Sequence, residues 1–239
     1  GRRQRQMCIR DRQRLSLGIL NNYTVGLSDN FSNNPALNSI ALYIAPSFRL
    51  GKKLVVNTSV REEYYNESLT PLTYSTSAKY SILKGWYTNA SVSRNYRNPN
   101  FNDLYWNGGG ASGNLDLVSE DGYSSDIGLG FKKLNNTIRI NSEVTFYLNN
   151  IENQIQWIPL GTVWTPVNIS KVETKGVELK TNSQFMLSQN TKLLFNLNYA
   201  YTDAQVTEKS ENESNEVLGK QLIYIPYYQG NTYAGISIP

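Results

Sequence analysis

Side chains able to do chemistry are few in this 239-residue chain. It has no histidine and a single cysteine, Cys8. Neither a Ser-His-Asp nor a Cys-His nucleophile can be assembled, nor a histidine-containing zinc site, nor a disulfide within the chain. Glu208, Glu211, Glu213 and Glu216 lie close together, but a run of acids in a polar stretch is read first as a solvated loop. Gly108–Gly113 spells G-x-G-x-x-G, yet no helical pattern or βαβ unit follows it, which excludes a dinucleotide cradle. The expectation is therefore no catalytic residue, no metal, no cofactor and no enzyme. What remains are aromatic side chains in polar stretches: Tyr105, Trp106, Trp157 and Trp164. Amphipathic rings of this kind suit contact with a small-molecule ligand, and they equally suit packing of loops on one another.

Charge tells little until it is located. The formal net charge is +4, but six of the 23 basic residues fall in the first fourteen positions: Arg2, Arg3, Arg5, Arg10, Arg12 and Arg14. Only Asp11 opposes them there, and the remainder of the chain is close to neutral. A nucleic-acid partner therefore has no support outside that segment. Residues 1–14 are read as a non-native or disordered basic extension, since Arg5–Arg12 resembles translated sequencing-adapter DNA and shows no structural periodicity. No run of 18 apolar residues exists, so no transmembrane helix is encoded.

From Leu15 onward the apolar positions recur with period two. Ile40, Leu42 and Ile44 form one set, Ile138, Ile140, Val144, Phe146 and Leu148 another, and Leu193, Phe195, Leu197, Tyr199 and Tyr201 a third. Such alternation marks strands with one apolar face, and the class is all-β. Eleven strands are expected, near 15–27, 37–50, 54–64, 72–83, 86–94, 122–131, 136–149, 170–187, 191–203, 221–225 and 231–238. A bulge at Gly176, or a segment standing above a bilayer, would explain the shared parity of Lys171, Glu173 and Lys175 with Val177 and Leu179. Tyr64, Tyr65, Trp86, Tyr87, Tyr199 and Tyr201 sit near strand ends, where an interfacial aromatic belt belongs.

The connections discriminate between a soluble sandwich and a membrane barrel. Short links at 51–53, 84–85, 132–135, 188–190 and 226–230 alternate with long ones at 28–36, 65–71, 95–121, 150–169 and 204–220. Short turns on one side and long loops on the other describe an antiparallel up-and-down transmembrane β-barrel. An odd strand count, and a last strand read as ascending, lead to the expectation that 15–239 is part of a larger barrel.

Two segments carry a family resemblance. Arg94-Asn95-Tyr96-Arg97-Asn98-Pro99-Asn100-Phe101-Asn102-Asp103-Leu104-Tyr105-Trp106, followed by Gly113-Asn114-Leu115-Asp116-Leu117 and Glu120, resembles the "FRxPxxxELY … GNPxLKPE" pattern of TonB-dependent outer-membrane receptors. Gln154–Trp157, Asn168-Ile169 and Gly176-Val177-Glu178-Leu179 are similar to a downstream strand pair of that family, and Gly219–Leu222 with Ile225-Pro226 to its next periplasmic turn. Val118-Ser119 stands where the family usually has Lys-Pro. In these motifs Gly113-Asn114 offers positive φ for a turn, Asn98-Pro99 an extended exit from a strand, and Arg94, Arg97 and Glu120 possible ion pairs across strand tops. The resemblance implies a roughly 22-stranded barrel in the Gram-negative outer membrane, contacting lipid and lipopolysaccharide. It implies uptake of a scarce ligand such as a siderophore or cobalamin, driven through TonB acting on an N-terminal plug absent from this sequence. The alternatives are a passive porin-type channel and, more remotely, a soluble β-sandwich binding module.

Overall fold

The computed structural model describes residues 13–31, 34–208 and 218–238. Most of the basic extension (residues 1–12) and the acids Glu211, Glu213 and Glu216 lie outside the described residues. The elements in chain order are β1 (Gln13–Val25), β2 (Ala36–Leu50), β3 (Leu54–Tyr65), β4 (Ser68–Leu69), β5 (Thr73–Leu83), β6 (Trp86–Arg97), α1 (Phe101–Tyr105), β7 (Asn107–Gly108), β8 (Ala111–Ser112), β9 (Glu120–Leu134), β10 (Ile138–Leu160), β11 (Val163–Met186), β12 (Lys192–Glu208) and β13 (Tyr228–Ser237). Among the described residues the strands form one sheet, in the order β1-β2-β3-β5-β6-β9-β10-β11-β12-β13, with β4, β7 and β8 as short additions. Each long strand pairs antiparallel with the next, and the curved sheet is unclosed, a partial barrel.

Register carries the apolar positions across the sheet on a common face. Leu54 pairs with Tyr80, Tyr80 with Thr88, Thr88 with Leu129, Leu129 with Val144, Val144 with Leu179 and Leu179 with Tyr199. This face looks outward: Leu17, Ile127 and Phe146 are 67%, 57% and 57% exposed. A soluble sandwich would bury such a face against a second sheet, whereas in a membrane barrel it is the lipid-contacting surface. The concave face is polar and internally bonded. Tyr87 Oη donates to Glu143 at 2.7 Å, Asn89 Nδ2 donates to the same carboxylate at 3.2 Å, and the Lys79 ammonium lies 3.6 Å from the Tyr87 ring centroid. Tyr87 therefore leaves the expected aromatic belt and faces inward, buried, while Trp86 beside it faces out against Phe131 at 5.0 Å.

Ten of the eleven expected strands are present, and the departures have local causes. Residues 221–225 form no strand, because Tyr224 takes φ 64° and Pro226 has no N–H to offer a partner strand. The segment folds back on β12, where Gln221 substitutes its side chain for a backbone partner, accepting from the Ala204 N–H at 2.8 Å. Its Leu222 packs on buried Val172 and Val206. This fold-back lies at the Glu208 end of β12 and not at the short-turn end. β13 accordingly runs opposite to the expected direction, from Tyr228 against Tyr201 to Ser237 against Lys192. The loop expected at 150–169 is instead the tip of a long hairpin, β10 and β11 turning at Gly161, whose φ of 65° a side chain would oppose. Pro159 and Pro166 are tolerated because pairing with β9 ends at Glu152, and beyond it the hairpin's outer edges meet only β8, at Trp164 opposite Ala111.

No bulge occurs at Gly176, which sits in regular register with Tyr147 and Thr202; the irregularity lies between Lys171 and Val172. Glycine is required there because the Tyr147 ring and the Tyr201 carbonyl occupy the space of a Cβ. The same device recurs at Gly18 beneath Tyr43 and Gly130 beneath Tyr87, each tyrosine directly opposite its glycine. These rings cover bare backbone on the inner wall. At Gly130 the obstruction is all side chain. Gly130→Ala is expected to cost about 1–3 kcal/mol through overpacking. In a Tyr87→Ala background the same change should cost less than about 0.5 kcal/mol, because no shared contact remains. Urea unfolding of the detergent-folded barrel measures the cycle, and equal costs in both backgrounds would refute the packing account.

Candidate functional site

The candidate site is the long-loop end of the sheet, where the β6–β9 connection (98–119) lies against the β10–β11 hairpin tip. Asn100 caps the five-residue helix α1, accepting from the Asp103 N–H at 3.0 Å, while Asp103 accepts from the Asn100 N–H at 3.1 Å. This reciprocal cap turns Asp103 inward, where it is 4% exposed. It accepts there from the Trp157 indole N–H at 3.0 Å and from Arg97 Nη1 at 3.3 Å. Arg97 reaches the other way to Glu120, 2.7 Å from Nη2, and the same Glu120 oxygen accepts the Ile155 N–H at 2.7 Å. The hydrogen bond to Glu120, helped by the charge of Asp103, raises the Arg97 pKa further and keeps it cationic.

Asparagines continue the clamp. Asn114 donates to the Pro166 carbonyl at 3.1 Å, and Asn168 both accepts from the Val118 N–H and donates to its carbonyl at 3.0 Å. Asn168 also holds the Asn153 carbonyl at 2.6 Å, fixing a residue whose φ is 56°. The Trp164 N–H donates to the Gly110 carbonyl at 2.9 Å. From the other side comes the β1–β2 loop: the Asn107 N–H donates to Asn30 at 2.7 Å, and Phe31 meets Trp106 edge-on with centroids 6.5 Å apart. Phe101 packs within 6.3 Å of both Phe31 and Tyr105.

The four sequence-predicted contact residues thus divide. Tyr105 and Trp106 join one aromatic cluster with Phe31 and Phe101, Trp106 also donating to Gly108 at 2.9 Å. Trp157 is held by Asp103, and Trp164 stands exposed on the hairpin tip at 45%. Of the expected ion pairs, Arg97–Glu120 forms, but Arg94 pairs with Asp121, at 3.0 and 2.6 Å. Gly113 and Asn114 do not use positive φ, which falls at Gly109 and Gly110. Gly113 is needed for close approach, since a Cβ there would stand 2.6 Å from the Leu104 carbonyl carbon. Pro99 is buried, Leu117 half-buried, and Val177 and Leu179 lie on the outer face with Glu178 inward, 2.9 Å from Lys180. Sequence reasoning gave no site role to Phe31, Phe101 or Asp103, although Asp103 stands at the Glu position of the E-L-Y pattern and closes the Asn-x-x-Asp cap at 100–103.

The arrangement is a platform clamped to the long-loop end of the sheet, with Trp164 its exposed aromatic side chain. The family described as TonB dependent receptor-like, beta-barrel, matches residues 5–237. The chain belongs to the TonB-dependent receptor β-barrel family. It is 36% identical over 93 residues to the vitamin B12 transporter BtuB of Vibrio vulnificus, an alignment covering 38% of this chain and 14% of the relative. It is 27% identical over 190 residues to the vitamin B12 transporter BtuB of Photobacterium profundum, covering 77% of this chain and 27% of that one. The fold superposes on the siderophore receptor PirA from Pseudomonas aeruginosa with a TM-score of 0.65 at 18% identity, covering 80% of this chain and 37% of PirA. The chain therefore spans 14% and 27% of the curated relatives it matches. As a TonB-dependent receptor barrel it is an integral outer-membrane protein, with its short turns periplasmic and its long loops extracellular.

Asp103 is the node of the clamp. Asp103→Ala would leave the Trp157 indole and the Asn100 N–H without their acceptor, weakening loop closure by about 2 kcal/mol. Chymotryptic cleavage at Tyr105 and Trp106 should then rise roughly 30-fold with local opening. Asp116→Ala, at an exposed loop position, should leave the rate unchanged. Equal rates in both variants would show that the platform is held by packing alone.

Proposed function

We propose that this chain is the C-terminal wall and part of the extracellular mouth of a receptor that takes up a scarce ligand, a corrinoid or ferric siderophore, with energy delivered through TonB. The observation that carries the reading is the clamped platform itself. Hydrogen bonds accepted by Asp103, Glu120 and Asn168 and donated by Asn114 immobilise a loop and a hairpin tip that would otherwise be long and mobile. A pre-ordered aromatic surface binds a large amphipathic ligand without the entropic cost of ordering loops at the moment of contact. Tyr105, Trp106, Trp157 and Trp164 are the proposed contact residues, with Trp164 the most accessible. The vitamin B12 transporters among its relatives favour the corrinoid, and the polar concave wall suits passage of a hydrophilic cargo past a plug contributed by the remainder of the receptor.

The test is growth of a knockout, complemented with the full-length gene, on cobalamin or on a ferric siderophore as the limiting nutrient. Uptake should vanish when TonB is disrupted. Trp164→Ala should raise the half-saturating ligand concentration roughly tenfold, a loss of about 1.4 kcal/mol. Uptake that persists without TonB would identify a passive channel instead.

A further inference from the structure

A polar hollow opens on the inner wall below the long loops, and the clamp does not use it. Its volume is ≈ 350 Å³, and Tyr43, Ser59, Arg61, Thr73, Ser75 and Asn95 line it on the lumen-facing parity. It lies near the extracellular end, for Arg61 stands opposite Thr73, the first residue of β5, and only a turn-length from Tyr65, the last of β3. A contrast of side-chain size makes the hollow. Tyr43, cross-strand to Arg61, leans the other way and covers Gly18. Ser59 stands opposite Ser75, and Ser75 opposite Ser93, so small hydroxyl side chains form the floor.

Arg61 is the cation of this hollow. Its Nη2 lies 3.0 Å from Glu63, whose carboxylate also accepts from Tyr96 Oη, so the guanidinium is held from one side. Glu63 is buried, and its carbonyl accepts from the Thr70 N–H at 2.9 Å and Oγ1 at 3.1 Å, which pins the acid in place. The Arg61 side chain is still 33% exposed. Among the described residues its Nε is buried without a partner, and Nη1 has none either. A guanidinium offers five N–H donors, and one neighbouring acid leaves most of them unanswered. The residues lining the hollow include no carboxylate.

We propose that this hollow is a subsite for a phosphodiester of the transported ligand, which accepts from Arg61 while the Ser59 and Ser75 hydroxyls turn to donate. The inference rests on the uptake reading and adds to it a charge that the ligand must carry. A guanidinium partly compensated by Glu63 suits a single negative charge; a second would meet the buried carboxylate with no cation to offset it. The volume exceeds what a carboxylate needs and leaves room for the two ester substituents. Charge-assisted bonds from arginine to phosphate are the strong ones, and a side chain already oriented by its acid loses little freedom in making them. Tyr65, next above Glu63 on the same parity, is close enough to Tyr105 for their charges to interact. The hollow is therefore within reach of the platform, and one large ligand can engage both.

The experiment uses the purified full-length receptor in detergent. Phenylglyoxal labels accessible guanidinium groups, and peptide mass spectrometry reads the rate at Arg61, with exposed Arg49 as the internal reference. Dimethyl phosphate should slow labelling of Arg61 roughly threefold and leave Arg49 unchanged, while neutral trimethyl phosphate should protect neither and acetate should protect Arg61 less. Equal rates with and without dimethyl phosphate overturn the proposal. So does an Arg61 that fails to react, since another part of the receptor then fills the hollow. Protection by acetate equal to that by dimethyl phosphate overturns the assignment to a phosphodiester. A second arm measures equilibrium binding of cyanocobalamin and of cobinamide, which lacks the nucleotide loop and its phosphodiester. Arg61→Gln, and Ser75→Leu, which fills the hollow and keeps the Arg61–Glu63 pair, should each weaken cyanocobalamin roughly tenfold and cobinamide less than about twofold. Heat-modifiable gel migration verifies folding, and either variant suffices if the other fails to fold. An equal loss for both corrinoids shows a structural role and overturns the proposal. If neither corrinoid binds, the corrinoid reading fails, while protection by dimethyl phosphate still supports the subsite.

Discussion

A backbone amide inside hydrocarbon has no water to turn to, and the whole architecture answers that constraint. Every long strand is hydrogen-bonded to its sequence neighbour through most of its length, from β1 against β2 to β12 against β13. Once the ladders are fixed, pleating sends successive side chains to opposite sides, so one decision about register assigns each residue to lipid or lumen. That is why large apolar side chains are exposed in such number without an apolar core of matching size. Val172, Val206 and Leu222 form a small cluster beside the fold-back of the β12–β13 connection, where the chain briefly packs as a soluble protein does.

Above the membrane the same accounting is settled by other means. The backbone leaves the ladder, and short polar side chains take over its hydrogen bonds. Asn168 pairs with both groups of Val118, Glu120 accepts from Ile155, Gln221 accepts from Ala204, and Asn100 with Asp103 closes the first turn of α1. Side chains of this type bond backbone groups at short range and tolerate unusual dihedrals, and they give the loops a defined shape without a hydrophobic interior. The platform is thus continuous with the wall: pulling on the β6–β9 loop means breaking bonds to β9, β10 and β11 together.

What could be read from the sequence follows the same division. Within the membrane, period two and the alternation of short and long connections locate ten strands to within a few residues at most ends, because one dominant force acts with one geometry. Outside it the reading fails where a specific partner decides conformation. The 150–169 segment contains two prolines and a glycine and reads as loop; it is strand because the hairpin tip needs pairing from one side only. Residues 221–225 are a short run rich in apolar and aromatic residues and read as a strand, but Gln221 offers its side chain to β12 and Pro226 ends the run. Asp103 stands in the family-like run and in a cap, but neither shows its role, which depends on Trp157, 54 residues away. The contact aromatics are recognisable as a class, but their partners are not.

Arg94 and Arg97 show how strongly parity decides meaning. They are three residues apart on β6, an odd spacing, so they point to opposite faces. Across the ladder, Asp121 and Glu120 are adjacent and likewise opposed, and each arginine takes the acid on its own side. The outer pair stands among tyrosines at the lipid boundary; the inner pair anchors Asp103 and, through it, Trp157. A slip of one residue between β6 and β9 would exchange the faces of the two acids, leave each arginine facing the wrong side, and turn Tyr123 inward. The two ion pairs therefore act as a register lock at the point where the ladder ends. The lock matters there because lipid no longer penalises a wrong pairing, and the loop that follows must begin from one position only.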